Sequence, residues 1–184
     1  MAKLTFSIGF DRFVDLEWAN YAYELAQENL VQDAKKKYLG DWMRSQIAGK
    51  ESARKTANVL SNLWFHSNSD LDELRYKAFK LGANKQDAFS QMIFHYGMAI
   101  NVYSFFRDVC IIIGRLSNIQ GVFDRNEIHQ RMLEKYGNIG SVPRATNRVL
   151  QSLVNWNLLQ TNSKKIELLL IKEIQPLVAT WLAE

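Results

Sequence analysis

Two helices followed by a β-hairpin are predicted by residues 124–171, which read DRNEIHQRMLEKYGNIGSVPRATNRVLQSLVNWNLLQTNSKKIELLLI. Asp124 and Glu127 have the spacing of a capping box, which predicts that a helix begins directly after Asp124. Gly137 ends that helix, and Pro143 is compatible with the first turn of a second one. The stretch therefore opens with two helices joined by a short turn, as in a helix-turn-helix.

Apolar residues give each of these helices one side that can be buried. They are Ile128, Met132, Leu133 and Tyr136 on the first helix and Val149, Leu150, Leu153 and Trp156 on the second. Two short apolar segments then flank a polar turn at residues 162–164, which predicts a β-hairpin. Helix, helix and hairpin in this order are typical of a winged helix-turn-helix.

The chain before this stretch has a helical pattern. From Asp15 onward apolar residues recur at spacings of three and four, with breaks near Gly49 and Gly82. The most apolar part, residues 92–114, is interpreted as one buried central helix, because Arg107 and Asp108 would be costly inside a membrane. We therefore expect a mainly α-helical protein with two domains. The expected domains are a helical bundle with a short N-terminal arm at 1–118 and a winged helix-turn-helix at 119–184.

The composition excludes several classes of protein. The chain has 184 residues, of which 47% are hydrophobic, 12% aromatic and 23% charged, so it is neither disordered nor fibrous. Its one cysteine, Cys110, excludes an internal disulfide and a cysteine-based metal cluster within the chain. The apolar run at the N-terminus is too short for a signal peptide, and a free cysteine suits a reducing compartment. We expect a cytoplasmic protein with no membrane contact.

No motif for catalysis, a metal or a cofactor is evident. His66, His95 and His129 lie far apart in the sequence and lack the spacing of metal ligands. Cys110 precedes three isoleucines, which disfavour the reactive thiolate form. The segment 137–140 lacks the remaining residues of a phosphate-binding loop. We expect a protein that is not an enzyme and needs no cofactor.

Positive charge is concentrated in two segments of the chain. Lys and Arg outnumber Asp and Glu by 23 to 19, and segments 33–55 and 121–165 each hold seven basic and three acidic residues. The rest of the chain is therefore net acidic. Such a distribution is typical of a surface that binds a polyanion. The contacts predicted in the first segment are Lys35, Lys36, Lys37, Arg44, Arg54 and Lys55; a solvated helix face is the alternative interpretation of this lysine run.

The second segment contains a candidate recognition helix, at about 143–157. Opposite its apolar side lies a polar stripe whose members are spaced by three, four, seven and eleven residues. Arg can bond guanine, and Asn or Gln can bond adenine, in the major groove of DNA. Two lysines at the hairpin tip would meet phosphate or the minor groove. The predicted DNA contacts are Arg144, Asn147, Arg148, Gln151 and Asn155 on the helix and Lys164 and Lys165 on the wing.

Three elements carry a resemblance to a known family. Glu51-Ser-Ala-Arg54-Lys55 opens a helix, Tyr103-Ser-Phe-Phe-Arg107-Asp108 follows in the apolar region, and Asn155-Trp-Asn-Leu158-Leu159 precedes the hairpin. In this order and spacing the chain resembles BrxA, the small accessory proteins of bacterial BREX phage-defence systems. Residues 1–14 depart from the small-residue-rich opening of that family.

The resemblance implies a non-enzymatic DNA-binding protein, with a helical domain similar to the antitermination factor NusB followed by a winged helix. It implies that Arg54, Lys55, Arg144 and Arg148 are the matching basic positions, and that other defence-system proteins are partners. We therefore expect an accessory factor that binds double-stranded DNA. Two alternatives stay open: an adaptor that docks a larger enzyme, and RNA binding through the helical domain.

Overall fold

The computed structural model describes residues 8–66, 69–83, 88–169 and 176–183. Within these ranges the chain is mainly helical and carries one small antiparallel sheet, which confirms the predicted fold class. The helices are α1 (Leu16–Gln27), α2 (Gln32–Gln46), α3 (Lys50–Trp64), α4 (Ser69–Gly82), α5 (Ala88–Val102), α6 (Ser104–Gln120), α7 (Arg125–Tyr136), α8 (Ser141–Asn155) and α9 (Pro176–Ala183). The strands are β1 (Val122–Asp124), β2 (Leu159–Asn162) and β3 (Lys165–Leu168).

Two compact units make up the chain. The helical unit comprises residues 14–102 and 171–184, and the sheet unit comprises residues 1–13 and 103–170. The predicted boundary at 118/119 lies inside α6, whereas the structure divides the chain at 102/103 and again at 170/171. Consequently α9, which the sequence assigned to the winged helix-turn-helix domain, belongs to the helical unit. Residues 1–7 of the predicted N-terminal arm lie outside the described residues.

The predicted central helix over residues 92–114 is wrong, because the chain breaks at Tyr103. This residue has an extended backbone (φ −122°, ψ 100°) and separates α5 from α6. Its buried ring packs edge-on against Phe10, with ring centroids 5.4 Å apart. Neither Gly nor Pro marks the break, so the apolar pattern continues through it and only the packing of Tyr103 reveals it.

The same break bears on whether the apolar region could span a membrane. Within the described ranges, no single helix is both long enough and apolar enough to cross a bilayer. Residues 91–102 and 104–120 reach that length and apolar character only as a pair, and the pair is bent at the break.

Arg75 of α4 holds the C-terminal end of α3 in the helical unit. Its side chain is only 4% exposed and donates to the backbone carbonyls of Asn62, Leu63 and His66 at 2.7–2.8 Å. It also donates to the Asp72 carboxylate at 2.8 Å. The last carbonyls of a helix have no hydrogen-bond partner within the helix and carry partial negative charge. A guanidinium group supplies both the donors and the positive charge that these carbonyls lack. The buried charge of Arg75 is thereby compensated.

His95 lies fully buried among the helices of the same unit. Its Nδ1 accepts a hydrogen bond from Trp64 Nε1 at 3.1 Å, so the ring proton resides on Nε2, which faces Asn20 Oδ1 at 2.7 Å. Burial lowers the pKa of His95 to about 3. The imidazole is therefore neutral, and a second proton would place two donors against each other at Nδ1.

Helix α9 docks on the helical unit through a position without a side chain. The Trp181 ring lies directly over Gly97 of α5, where a Cβ would come within 2.5 Å of the ring. The indole Nε1 donates to the Leu74 carbonyl at 3.0 Å, and the ring meets Phe94 edge-on with centroids 5.0 Å apart. Gly97 is therefore required for close approach of the two helices.

The sheet unit contains the predicted pair of helices and the hairpin. Asp124 accepts from the Asn126 amide at 2.8 Å, and Glu127 accepts from the Asp124 amide at 3.0 Å, which confirms the capping box at the start of α7. Gly137 ends this helix at φ 83°, a conformation that favours glycine. Strand β1 was not predicted, and it pairs with β3 to give the sheet order β1-β3-β2.

The core of this unit is formed by the predicted apolar sides of α7 and α8. Ile128, Met132 and Val149 are fully buried, and Trp156 is 1% exposed. Other buried side chains come from the N-terminal segment, α6 and the sheet, namely Phe10, Phe105, Phe106, Phe123 and Ile166. The predicted phase of α8 is thereby confirmed.

Replacing Gly97 with Ala is expected to destabilise the protein, although Ala normally favours a helix. The added methyl group overlaps the Trp181 ring, and such overpacking costs about 1–3 kcal/mol. Gly40 of α2 is the matched control, because nothing lies within 4 Å of a Cβ there. Gly40→Ala should stabilise by about 0.5–1 kcal/mol. Thermal unfolding of both variants checks the opposite signs; equal shifts would contradict the Gly97 contact.

Stability is expected to fall as the pH drops below 6.5, with His95 as one cause. The unfolded chain binds a proton at His95 near pH 6.5, whereas the folded chain does so only near pH 3. In this window the free energy of unfolding decreases by about 1.4 kcal/mol per pH unit for this one group. Urea unfolding of parent and His95→Gln between these pH values measures the effect. The variant should have a shallower slope by about one proton, and identical slopes would refute the assignment.

Candidate nucleic-acid interface

Helix α8 presents a polar side opposite its buried side. Val142, Ala145, Val149 and Leu153 point into the core of the sheet unit. Because a helix repeats every 3.6 residues, the residues on the opposite side of α8 face outward. In the predicted stripe, the exposed residues are Arg144, Arg148 and Gln151. Asn147 and Asn155 are half-buried.

Two residues of this stripe are ordered by each other. Arg148 Nη1 donates to Gln151 Oε1 at 2.9 Å, across one helical turn. The bond holds the guanidinium beside the side-chain amide of Gln151. The Gln151 amide nitrogen and the other guanidinium nitrogens remain as hydrogen-bond donors on the exposed side.

Asn147 has a structural contact in addition to its place on the stripe. Its Oδ1 lies 3.1 Å from Nε2 of His129, which joins α8 to α7. Burial lowers the pKa of His129, and the bond to Asn147 acts in the opposite direction. Since an amide oxygen can only accept, Nε2 of His129 is the donor. Asn147 thus links the two helices through its oxygen, which leaves its amide nitrogen as a donor.

A depression of about 540 Å³ lies along one flank of α8. The sequence did not single out Phe13 of the N-terminal segment, Arg125 of α7 or Thr161 of β2 as members of this site. The Nε atom of Arg125 is buried and has no hydrogen-bond partner among the described residues. The lining residues are Phe13, Arg125, Asn147, Arg148, Leu150, Gln151, Val154, Asn155 and Thr161.

The tip of the hairpin is held beside the start of α7. Ser163 has a φ of 57°, which closes the two-residue turn between β2 and β3. The Arg125 amide donates to the Lys164 carbonyl at 3.0 Å, and Lys165 pairs in register with Asp124 of β1. Lys164 and Lys165 are both exposed, so two positive charges stand at this tip outside the depression.

A second candidate surface lies in the helical unit, between α2 and α3. This basic groove has a volume of about 200 Å³ and contains five cationic side chains and one carboxylate. It is lined by Lys36, Lys37, Gly40, Asp41 and Arg44 of α2 and by Lys50, Arg54, Ala57 and Asn58 of α3.

The structure separates the predicted cations of residues 35–55 into two groups. Lys36, Lys37, Arg44 and Arg54 line the basic groove, whereas Lys35 donates to the Ala26 carbonyl near the end of α1. Lys55 lies outside the groove and pairs with Glu51 at 3.5 Å. Lys50, which counted only toward the charge of the segment, is part of the groove. The count of charges along the sequence could not indicate which of these side chains face the groove.

Carboxylates compensate some of the groove cations. Arg54 binds Glu51 through two hydrogen bonds of 2.7 and 2.9 Å, and Arg44 pairs with Asp41. The Arg54 hydrogen bond is the main reason that the pKa of Glu51 is lowered to about 2. Lys36, Lys37 and Lys50 form no ion pair with any described residue and therefore supply the uncompensated charge.

No metal centre was found in the described part of the chain, where no three His, Cys, Asp or Glu side chains are placed to share an ion.

Comparison with known proteins found no matching family model, no matching curated protein and no matching solved structure.

The charge balance beside the basic groove can be measured at Glu51. Replacing Arg54 with Gln should raise the pKa of Glu51 from about 2 toward its ordinary value of 4.5. Lys55→Gln is the matched single-charge control and should raise that pKa less, because the Lys55 contact is longer. Carboxyl chemical shifts followed by NMR titration give both values. A larger effect from Lys55 would mean that the Arg54 pair does not persist in solution.

Proposed function

We propose that this protein is a non-enzymatic DNA-binding protein of the winged helix-turn-helix class, with α8 as its recognition helix. The observation that carries the proposal is the two-sided character of α8. Its apolar side is buried in the sheet unit, and its outward side bears the ordered Arg148–Gln151 pair.

The order of elements supports the assignment to this class. The sheet unit runs α6, β1, α7, α8, β2, β3, and its sheet has the order β1-β3-β2. In a winged helix-turn-helix the second helix of the pair enters the major groove and the hairpin flanks it. Here those elements are α8 and the hairpin β2–β3, whose tip carries Lys164 and Lys165.

The outward side of α8 has the chemistry for reading base pairs. Arg148 presents a planar guanidinium that suits guanine, and the Gln151 amide suits adenine. Arg144, one turn earlier and exposed, is placed to contact bases or phosphate near the helix start. Asn155 lies at the far end of the stripe. Phosphate contacts from the wing lysines would set the register of the helix in the groove.

The cellular role follows from the resemblance to the BrxA family. We infer a cytoplasmic accessory factor of a bacterial phage-defence system, whose other proteins are potential partners. Double-stranded DNA is the ligand in this proposal, and no catalytic step is assigned to the chain.

A second function, docking of a protein, is favoured by one observation. The depression beside α8 includes Phe13, Leu150 and Val154, so part of its wall is apolar. Base pairs offer few apolar groups apart from the thymine methyl, whereas an apolar side chain of a bound peptide would pack against this part of the depression. The protein would then act as an adaptor that uses the same helix.

Replacing Arg148 with Ala tests the DNA proposal. A duplex selected from a random pool by the parent protein is the ligand, and loss of a bidentate base contact should weaken its binding by about 1–3 kcal/mol. If Arg148 contacts only phosphate, the loss should be equal for all sequences and the salt slope should fall by about one. Arg131→Ala, at an exposed position of α7, removes the same charge and is the control.

The double variant Arg144→Ala/Arg148→Ala decides between the two functions. Both positions are exposed, so the variant should fold with the circular dichroism and unfolding temperature of the parent. Duplex affinity should drop more than in either single variant. A folded double variant with the affinity of the parent would remove α8 from the DNA interface and leave the adaptor function.

A further inference from the structure

The basic groove between α2 and α3 has a shape as well as a charge. Cationic side chains of α2 form one wall and those of α3 form the other. The lining also includes Gly40 and Ala57, whose small size leaves room between the two rows of cations. Nothing lies within 4 Å of a Cβ at Gly40, so the space above this residue is open. A ligand can therefore approach the helix backbone between two rows of positive charge.

The charges of the groove select the chemical class of the ligand. Five cations face one lining carboxylate, and three of the cations, Lys36, Lys37 and Lys50, have no ion pair with a described residue. Lys36 and Arg44 lie eight residues apart on α2, a rise of about 12 Å, so the cations suit a ligand with several negative charges in a row rather than one compact anion. A phosphodiester chain has this property, and each neutralised phosphate adds affinity by releasing counterions.

We propose that the basic groove binds a single strand of nucleic acid through its phosphodiester backbone, independently of α8. The groove offers only about 200 Å³, which suits the backbone of one strand. A duplex has a major groove about 12 Å wide and is broader still, so it would rest on the rims of the groove. This proposal does not rest on DNA recognition by α8, since the two surfaces lie in different units.

The lining also determines what the groove does not recognise. Among the described residues, its lining has no aromatic side chain on which a base could stack, and Asn58 is its one amide. Stacking contributes much of the affinity in many single-strand binders. Here the affinity should come from phosphate contacts alone. Binding is therefore insensitive to the bases and to the sugar, and DNA and RNA strands are equivalent ligands.

The test uses the full chain carrying Arg144→Ala/Arg148→Ala, so that α8 does not contribute. The probe is a fluorescent oligo-dT strand of about 12 nucleotides, within the usual range of single-strand binding sites, followed by anisotropy over a salt series. We expect this protein to bind the strand as tightly as the parent and to prefer it over a duplex of equal length. An abasic strand and oligo-U should bind within about twofold of oligo-dT, because no base is stacked.

Two pairs of variants connect binding to the groove. Lys50→Gln removes a cation of the groove, and Lys55→Gln removes one from the same helix outside it. The first should lower the salt slope by about 0.7, the value for one phosphate of a single strand, and the second should leave it unchanged. Gly40→Leu fills the floor and should weaken binding roughly tenfold through loss of phosphate contacts, whereas Gly114→Leu, at an open position of α6 outside the groove, should bind like the parent.

Each other result has a definite consequence. Equal effects of Lys50→Gln and Lys55→Gln, or full binding by a folded Gly40→Leu variant, would overturn the proposal. A preference for duplex would make the groove a duplex site instead. Inorganic polyphosphate is the competitor that separates the sources of phosphate, and binding of polyphosphate without binding of any strand would also refute the proposal.

The two proposals fail in different ways. Loss of strand binding in the Arg144→Ala/Arg148→Ala protein would refute independent binding by the groove and leave α8 as the nucleic-acid site. Conversely, duplex binding that persists in this protein but is lost in Lys50→Gln would remove α8 from the function and leave the groove.

Discussion

Burial of the apolar side of α8 is the constraint on which the sheet unit and its candidate site depend. Val149, Leu153 and Trp156 are almost completely buried, and burying such side chains is worth about 1.5–3 kcal/mol each for residues of the size of Val or Leu. Rotating the helix by one residue would expose this surface. The core therefore sets which side of α8 carries Arg148 and Gln151, and their mutual hydrogen bond then holds the two side chains together.

Among the described residues of the helical unit, buried polar side chains have partners. Arg75 satisfies the end of α3, and His95 stays neutral between Trp64 and Asn20. On the exposed sides of α2 and α3, Lys36, Lys37 and Lys50 form no ion pair with a described residue. The cations of the basic groove are consequently available to a ligand, and their mutual repulsion is reduced by the carboxylates of Asp41 and Glu51.

The candidate sites were only partly predictable because charge counts carry no direction. Lys35 and Lys36 are neighbours in the sequence, yet one contacts a carbonyl near the end of α1 and the other lines the groove. Positions that differ by one residue lie about 100° apart on a helix, so a run of lysines necessarily spreads around α2. On α8 the prediction was better, because its strong apolar side gave the helix a known phase. Asn147 was the exception, since its contact with His129 of α7 is not local.

Local patterns in the sequence determined most helix boundaries, the capping box at Asp124, the hairpin turn and the buried side of α8, because each depends on neighbours within about four residues. Tertiary structure alone decided the break at Tyr103, the pairing of β1 with β3, and the inclusion of α9 in the helical unit. These features rest on contacts between distant residues, such as Phe10 with Tyr103 and Gly97 with Trp181. The free energy of such contacts depends on shapes that meet only when the chain is folded, and periodicity does not encode it.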